Sequence, residues 1–319
     1  MRAMQVINYN QPIELKDVEP PKIKPDQVLV RVAACALNFG DLLMIQGSYQ
    51  EKPSLPYTLG MELSGTIENV GEEVTKLRVG QRVISYAGIG GLAEYAALPS
   101  QICLPIPDSM DMVDAAAFPV AYGTAHLALD YKARLQPSER LVVLGASGGV
   151  GLTGVELGNL MGAEVIAVAR GAEKLQIAKE MGAEHLIDSE TTDLRAAIRA
   201  LGGADVVYDP VGGDQFTAAM RETNPDGRLI PLGFASGNVP QIPANHLLVK
   251  NLTVIGYWWG GYAKTNSKIL NSSLATLLEW YEEGKIKPHV SNVISLEDTQ
   301  AGLELLRKRK ATGKVVVTL

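Results

Sequence analysis

One stretch near the middle of the chain constrains its fold more than any other. It reads Leu141-Val-Val-Leu-Gly145-Ala-Ser-Gly148-Gly149-Val-Gly151, an apolar run followed at once by closely spaced glycines. This order is typical of a buried strand, a tight turn and the start of a helix. Glycines let the backbone turn sharply and approach a ligand, and the N-terminus of a helix attracts anions. We therefore expect a pyrophosphate site formed by Gly145, Ala146, Ser147, Gly148, Gly149, Val150 and Gly151. The alternative is a tight turn that binds no ligand.

The residues around this turn alternate between apolar strands and helical segments. Strands are expected at 140–145, 163–169, 185–188, 204–209, 228–233 and 252–256, with helices between them. Regular alternation of this kind predicts a doubly wound parallel sheet of the Rossmann type. We place this cofactor domain at 119–262.

The first hundred residues have a different pattern. Run 27–33 carries a valine at every second position, and similar short runs follow at 62–68, 81–86 and 92–97. Alternation with a period of two, punctuated by glycines, predicts a β-rich and barrel-like domain. Segments after residue 263 do not extend the strand–helix alternation cleanly, so we expect them to return to the first domain. The predicted first domain is 1–118, completed by 263–319.

Composition excludes several classes of protein. The formal charge is −6, and the longest basic run is Arg307-Lys-Arg-Lys310, so we expect no nucleic-acid partner. No apolar stretch approaches the roughly 20 residues that span a bilayer, and Met1 runs straight into strand-like sequence. Cys35 and Cys103 form neither a C-x-x-C pair nor a disulfide framework. We expect a cytoplasmic protein that does not bind membranes.

The end of the second strand of the cofactor domain bears on the choice of nucleotide. NAD-binding domains usually place an Asp or Glu there to accept hydrogen bonds from the ribose 2′-hydroxyl. Here the strand ends Val168-Ala169-Arg170-Gly171, and Glu173 and Lys174 follow. Arg170 and Lys174 suit a 2′-phosphate, which favours NADPH. The alternative is that both are surface charges at a helix start, and Glu173 could pair with either.

Three motifs together make the chain resemble a known family. They are Gly145-Ala-Ser-Gly-Gly-Val-Gly151, Phe118-Pro-Val-Ala-Tyr-Gly-Thr124-Ala and Tyr208-Asp-Pro-Val-Gly-Gly213. They are similar to motifs of the quinone oxidoreductase (ζ-crystallin-like) branch of the medium-chain dehydrogenase/reductase superfamily. The resemblance implies a GroES-like first domain and a homodimer formed through residues 252–257. It also implies cofactor contacts from Thr124, Phe234, Ser236 and Arg309.

The same resemblance bears on metal use. Zinc-containing members of the superfamily carry a cysteine ligand in the first domain and a histidine in a Gly-His-Glu motif. The matching positions in this chain hold Asn38 and Met61. Neither a carboxamide nor a thioether holds catalytic zinc well. We therefore expect no metal cofactor.

Reduction without a metal needs hydrogen-bond donors that stabilise the negative charge developing on the acceptor. Tyr49 is the leading candidate, because a phenol with a pKa near 10 stays protonated at neutral pH and can donate to an oxyanion or enolate. The quinone oxidoreductases carry a tyrosine after a similar Gly-x-Tyr, and Asn38 offers a second donor. The expected reaction is hydride transfer from NADPH to a quinone or a related conjugated carbonyl compound. The alternative for Tyr49 is a packing role.

Two other functions fit the same residues. The segment from Asn38 to Tyr49 also resembles the part of mitochondrial-type enoyl reductases that carries their catalytic tyrosine, which implies an enoyl thioester of CoA or acyl carrier protein as substrate. Proteins of this fold also include NADPH-binding structural or RNA-associated members. Tyr257 and Trp258 belong to an aromatic run that lines a substrate pocket or forms a buried or dimer contact.

Overall fold

The structure is a computed structural model that describes residues 1–319, and the chain divides into two units. The first unit is Met1–Val120 together with Tyr262–Leu319, and the second is Ala121–Gly261. No helix in either unit has both the length and the apolar character that crossing a membrane requires.

The alternating runs of the first unit form antiparallel strands. Its elements up to residue 116 are β1 (Arg2–Val6), β2 (Glu14–Asp17), β3 (Gln27–Leu37), α1 (Phe39–Ile45), β4 (Tyr57–Thr58), β5 (Leu63–Val70), β6 (Arg82–Ser85), β7 (Tyr95–Pro99), β8 (Cys103–Pro105) and α2 (Met112–Ala116). In β3 the alternate residues Val28, Val30 and Val32 are buried, whereas Arg31 is exposed. β3 pairs antiparallel with β5 and with β7. The predicted β-rich first domain is confirmed.

The middle of the chain alternates between strands and helices. Its elements are α3 (Pro119–His126), a π-helix (Leu127–Ala133), β9 (Arg140–Leu144), α4 (Gly149–Leu160), β10 (Glu164–Ala169), α5 (Ala172–Glu180), β11 (His185–Asp188), α6 (Leu194–Ala200), β12 (Ala204–Asp209), α7 (Gly213–Arg221), β13 (Thr223–Pro231), α8 (Ala244–Lys250) and β14 (Thr253–Val254). The six strands form one sheet in the order β11-β10-β9-β12-β13-β14, and every pairing is parallel. The predicted doubly wound sheet is confirmed.

This sheet has a switch point that locates a ligand site. The strand order reverses between β9 and β12, and open sheets of this kind bind ligands beyond the carboxyl ends of the strands at such a point. The side chains of β9 are apolar and buried from Leu141 to Leu144, as expected for a parallel strand covered on both faces. The glycine turn follows β9 directly and so lies at the switch point.

After residue 261 the chain returns to the first unit. Its elements there are α9 (Tyr262–Thr265), α10 (Ser267–Glu282), β15 (Val290–Ser295), α11 (Thr299–Arg307) and β16 (Lys314–Thr318). β16 lies between β15 and β3 in the larger sheet of this unit, and its residues from Val315 to Thr318 pair antiparallel with Ala34 to Leu37 of β3. Val315, Val316 and Val317 are fully buried. The returning segment thus supplies a central strand of the first unit.

Candidate functional site

The glycine turn leaves the first N–H groups of α4 open to a ligand. Gly145 has a φ of +60°, a conformation that favours glycine. Ala146 then anchors the turn to the neighbouring strand, because its N–H donates to the carbonyl of Val168 over 3.0 Å. Gly148 precedes the helix, and no side chain caps the helix N-terminus. An uncapped helix start with its dipole pointing at the turn is an anion site.

Two further glycines bring α4 close to its neighbours. A methyl group on Gly151 would lie 2.1 Å from the carbonyl oxygen of Gly145, so only a glycine fits where the helix crosses the turn. A methyl group on Gly154 would lie 2.9 Å from the ring of Tyr208, which is fully buried in β12. Gly154 therefore serves helix–sheet packing, a role that the sequence analysis missed.

The loop at the carboxyl end of β12 adjoins the glycine turn, and the loop at the carboxyl end of β13 packs against the loop after β12. A methyl group on Gly145 would lie 2.8 Å from Val211 Cγ2, so the turn and the loop after β12 are in contact. The second loop contains both predicted cofactor residues of this region. Ser236 donates its N–H to the carbonyl of Val211 over 2.9 Å, and the Phe234 side chain is 39% exposed.

A buried carboxylate, which the sequence analysis also missed, shapes the loop after β12. Asp209 is fully buried at the end of the strand. Its Oδ1 accepts hydrogen bonds from the N–H groups of Val211 and Gly212, over 2.7 Å and 2.9 Å. Burial raises the pKa of Asp209 to about 6, although these hydrogen bonds act in the opposite direction. An Asp at a strand end before Pro and Gly is the signal that could have identified it.

The structure places Arg170 and Lys174 around the end of β10. Arg170 directly follows the strand, and Lys174 lies in the first turn of α5. The Arg170 side chain is 38% exposed, with its Nη1 4.0 Å from Glu190 Oε1. The carboxylate of Asp188 lies at the end of the neighbouring strand β11, and its Oδ1 accepts the N–H of Gly171 over 3.1 Å. The residue that immediately follows β10 is therefore a cation.

Aromatic residues after β14 are fixed to α3. The Tyr257 hydroxyl donates to the carbonyl oxygen of Thr124 over 3.0 Å. The indole of Trp259 packs against the same helix, since a methyl group on Gly123 would lie 2.7 Å from its Cζ2. Trp258 is 38% exposed. The structure therefore brings together Thr124 and Tyr257, which the sequence analysis selected separately, and Trp258 directly follows Tyr257 in the chain.

In the first unit, Tyr49 packs against the start of α1. It is half-buried and borders the apolar core that contains Leu42 and Met44. A methyl group on Gly40 would lie 3.4 Å from Tyr49 Cε2 and 2.7 Å from Met61 Sδ. The Tyr49 ring thus rests beside the first turn of α1.

Asn38 belongs to a buried polar cluster. Its Nδ2 donates to Glu62 Oε1 over 2.9 Å and to the carbonyl of Ala36 over 3.2 Å. Its Oδ1 accepts from Lys314 Nζ over 2.7 Å, and the same ammonium lies 2.7 Å from Glu62 Oε1. Asn38, Glu62 and Lys314 are each less than 9% exposed. Both amide hydrogens of Asn38 are therefore donated within the protein.

Asp41, in the first turn of α1, contacts Asn38 of the same cluster. It is fully buried, and its Oδ2 accepts the backbone N–H of Asn38 over 2.8 Å. Burial and the nearby Glu62 carboxylate raise the pKa of Asp41 to about 7, while backbone hydrogen bonds and Lys314 act in the opposite direction. The sequence analysis missed Asp41, Glu62 and Lys314.

Arg309, the remaining predicted cofactor residue, lies in the first unit. It follows the end of α11, is exposed, and has a positive φ of 54°. Its N–H donates to the carbonyl of Leu306 over 2.9 Å. Cofactor contact by Arg309 stays a prediction.

Comparison with known families agrees with this architecture. Residues 24–108 match the alcohol dehydrogenase GroES-like domain, and residues 149–279 match the zinc-binding dehydrogenase family. The first match falls on the β-rich unit, and the second begins at the first residue of α4.

Relatives match the chain over its full length. Quinone oxidoreductase-like protein 2 of Bos taurus is 38% identical over 322 residues, which cover 100% of this chain and 92% of the relative. The quinone oxidoreductase of Pseudomonas syringae has a TM-score of 0.94 at 29% identity and covers 100% of this chain and 99% of its own. The quinone oxidoreductase of Escherichia coli, solved in complex with NADPH, has a TM-score of 0.94 at 25% identity, with 100% of both chains covered. The chain therefore belongs to the quinone oxidoreductase-like branch of the medium-chain dehydrogenase/reductase superfamily.

Proposed function

We propose that this protein is an NADPH-dependent reductase that transfers a hydride to quinones or related conjugated carbonyl compounds. The observation that carries the proposal is the uncapped glycine turn at the switch point of the sheet, with Arg170 directly after the adjacent strand β10. The quinone oxidoreductase relatives support the choice of acceptor, and the NADPH complex of one of them supports the choice of cofactor.

The residues of the second unit suit the parts of NADPH. The open N–H groups of the turn 145–151 suit the pyrophosphate, and Arg170 with Lys174 suits the 2′-phosphate because both are cations beside the end of β10. Further contacts to the cofactor are assigned to Thr124, Phe234, Ser236 and Arg309. Bound NADPH supplies the hydride for the reaction.

Tyr49 is the proposed hydrogen-bond and proton donor to the acceptor. A quinone that takes up one hydride needs one proton to become the hydroquinone, and a phenol holds its proton at neutral pH. Asn38 is a weaker candidate, because both hydrogens of its carboxamide are donated to Ala36 and Glu62. We assign Asn38 a supporting role beside Tyr49.

We further propose that the reaction uses no metal, although the matching family is described as zinc-binding. The two positions that correspond to zinc ligands hold Asn38 and Met61. Lys314 Nζ lies 2.7 Å from both Asn38 Oδ1 and Glu62 Oε1, so a cation already occupies the oxygen ligands of this region. No group of three or more His, Cys, Asp or Glu side chains in the chain is placed to hold a metal ion.

The test is NADPH oxidation by the purified, metal-stripped protein with simple quinones, alkenals and crotonyl-CoA, and with NADH in parallel. We expect NADPH-preferring reduction of quinones. Tyr49→Phe should lower kcat at least tenfold and leave the Kd for NADPH unchanged, because only the donor hydroxyl is lost. Tyr95→Phe, on β7, is the matched control.

Each other outcome identifies one of the alternatives. Turnover of crotonyl-CoA alone would make the protein an enoyl-thioester reductase. Tight NADPH binding without oxidation by any acceptor would make it a binding protein. Unchanged turnover in Tyr49→Phe would remove Tyr49 from the reaction.

We also propose that two copies associate through β14. This strand is the outer strand of the parallel sheet and pairs only with β13. The adjacent α8 exposes Leu248 and Val249, which are 78% and 71% exposed, and exposed apolar patches mark association sites. Light scattering should give a dimer for the wild type and a monomer for Leu248→Lys/Val249→Lys, whereas two monomeric proteins would refute this interface.

A further inference from the structure

The ammonium group of Lys314 is buried, which is rare for a lysine. Lys314 is the first residue of β16 and is 5% exposed, and Glu62, its ion-pair partner, is fully buried. Burying a lysine and a carboxylate together is costly, and replacing such a pair by apolar side chains often leaves stability unchanged or raises it. Stability alone therefore does not account for the pair.

The contacts of this ammonium converge on two helix starts. Lys314 holds Asn38 Oδ1 at 2.7 Å, and Asn38 precedes α1, forming a capping box with Asp41. Lys314 also holds Glu62 Oε1 at 2.7 Å, while Glu62 Oε2 accepts the N–H of Val120 over 2.7 Å. Val120 lies in the first turn of α3. One buried charge thus holds the side chain of Asn38, which precedes α1, and that of Glu62, which accepts a backbone N–H of α3.

The first of these helix starts supports Tyr49. A methyl group on Gly40, the second residue of α1, would lie 3.4 Å from the Tyr49 ring. Because Asn38 precedes this turn, a change in the orientation of its carboxamide is transmitted to the surface on which the ring rests. A displacement of about 1 Å at a reacting group is enough to lower a rate substantially.

We propose that Lys314 is a positioning residue for the reductase reaction: its buried ammonium orients Asn38 and Glu62 and so holds the first turn of α1 in the place that aligns Tyr49. This inference rests on the function proposed above. Lys314 itself contacts neither acceptor nor cofactor in this assignment. It acts through Asn38 and α1.

The test compares two double variants. Lys314→Met/Glu62→Met removes the buried pair with side chains of similar volume, so the protein should fold. Lys285→Met/Glu283→Met removes a surface ion pair with an N–O distance of 2.6 Å as the matched control. The first double variant should keep the KM for NADPH within twofold and lose kcat at least tenfold, whereas the control should keep both values. Wild-type kcat in the first double variant would overturn the proposal, and a lowered melting temperature beside it would show a purely structural role.

A second readout does not depend on activity. With 3-fluorotyrosine at position 49 only, the ¹⁹F resonance should shift or broaden in Lys314→Met/Glu62→Met and stay unchanged in the surface control. An unchanged resonance in the buried-pair variant would overturn the positioning role of Lys314, even if no acceptor were reduced. Failure of the wild type to reduce any acceptor would refute only the proposed function. If the buried-pair variant does not fold, Lys314→Met/Glu62→Gln is judged by the same resonance.

Discussion

A buried carboxyl group in the first turn of α1 makes the free energy of unfolding of the protein decrease as the pH rises. Asp41 is fully buried, and burial raises its pKa from 3.8 to about 7. Oδ2 is hydrogen-bonded to the N–H of Asn38, whereas Oδ1 has no hydrogen-bond partner. The folded protein therefore binds the proton of Asp41 more tightly than the unfolded chain does.

The sign and size of the effect follow from proton linkage. Between pH 4 and pH 7 the folded state holds a proton that the unfolded state has released, so the free energy of unfolding falls as the pH rises. The contribution is fully present below the unfolded pKa and is lost above the folded pKa. A shift of about three pKa units, at 1.36 kcal/mol per unit, makes the total loss roughly 4 kcal/mol across this window. Asp41→Asn cannot ionise and keeps an oxygen for the N–H of Asn38, so it should escape this loss.

Urea unfolding at several pH values between 4 and 8 measures the difference directly. The free energy of unfolding of Asp41→Asn relative to the wild type should increase by about 1.4 kcal/mol per pH unit up to pH 7 and then level off. Asp17→Asn, an exposed position on β2, should follow the wild type at every pH. If the curves of Asp41→Asn and the wild type stayed parallel, the raised pKa of Asp41 would be refuted.

Three further predictions concern the glycine turn, the cofactor and the acceptor. Gly151→Ala would place a methyl group 2.1 Å from a carbonyl oxygen, whereas the nearest atom to a methyl group on Gly148 lies at 3.5 Å. Urea unfolding should therefore show that Gly151→Ala lowers the free energy of unfolding by about 2 kcal/mol and that Gly148→Ala changes it little. Arg170→Ala should weaken NADPH binding at least tenfold in a fluorescence titration and leave NADH binding within twofold; equal losses would rule out a 2′-phosphate contact. Trp258→Ala should raise the KM for naphthoquinones more than that for benzoquinones, and an unchanged ratio would remove Trp258 from the acceptor site.

The sequence predicted those parts of the fold that depend on local pattern. Strands β9, β10 and β12 of the parallel sheet were identifiable because each is a short, largely apolar run between helical segments, which is how strands buried on both faces read. β13 was identified only in part, because it starts at Thr223, five residues before the predicted strand, with polar residues. The glycine turn was identifiable because Gly145 and Gly151 are needed for reasons local to the turn: a positive φ and a close backbone approach.

The polar cluster of the first unit could not be predicted in the same way. Lys314 is separated from Glu62 by 252 positions and from Asn38 by 276. No periodic pattern records a contact over such distances, and a lysine at the start of an apolar strand has the appearance of a solvent-exposed strand end. The signal that was present is Glu62, a carboxylate directly before the buried residues Leu63 and Ser64, because a buried charge requires a partner. Only the fold identifies that partner as Lys314.

The position of β16 has a consequence for the order in which the protein folds during synthesis. The ribosome adds β16 only after the whole of Ala121–Gly261, so the second unit can fold while the first still lacks one of its central strands. Until then, residues Ala34 to Leu37 of β3 have an open strand edge on the side that β16 later covers, and open edges promote aggregation. Nascent chains should therefore need protection by chaperones longest at this edge. Insertion of β16, with the ammonium group of Lys314 entering last among the buried charges, closes the first unit.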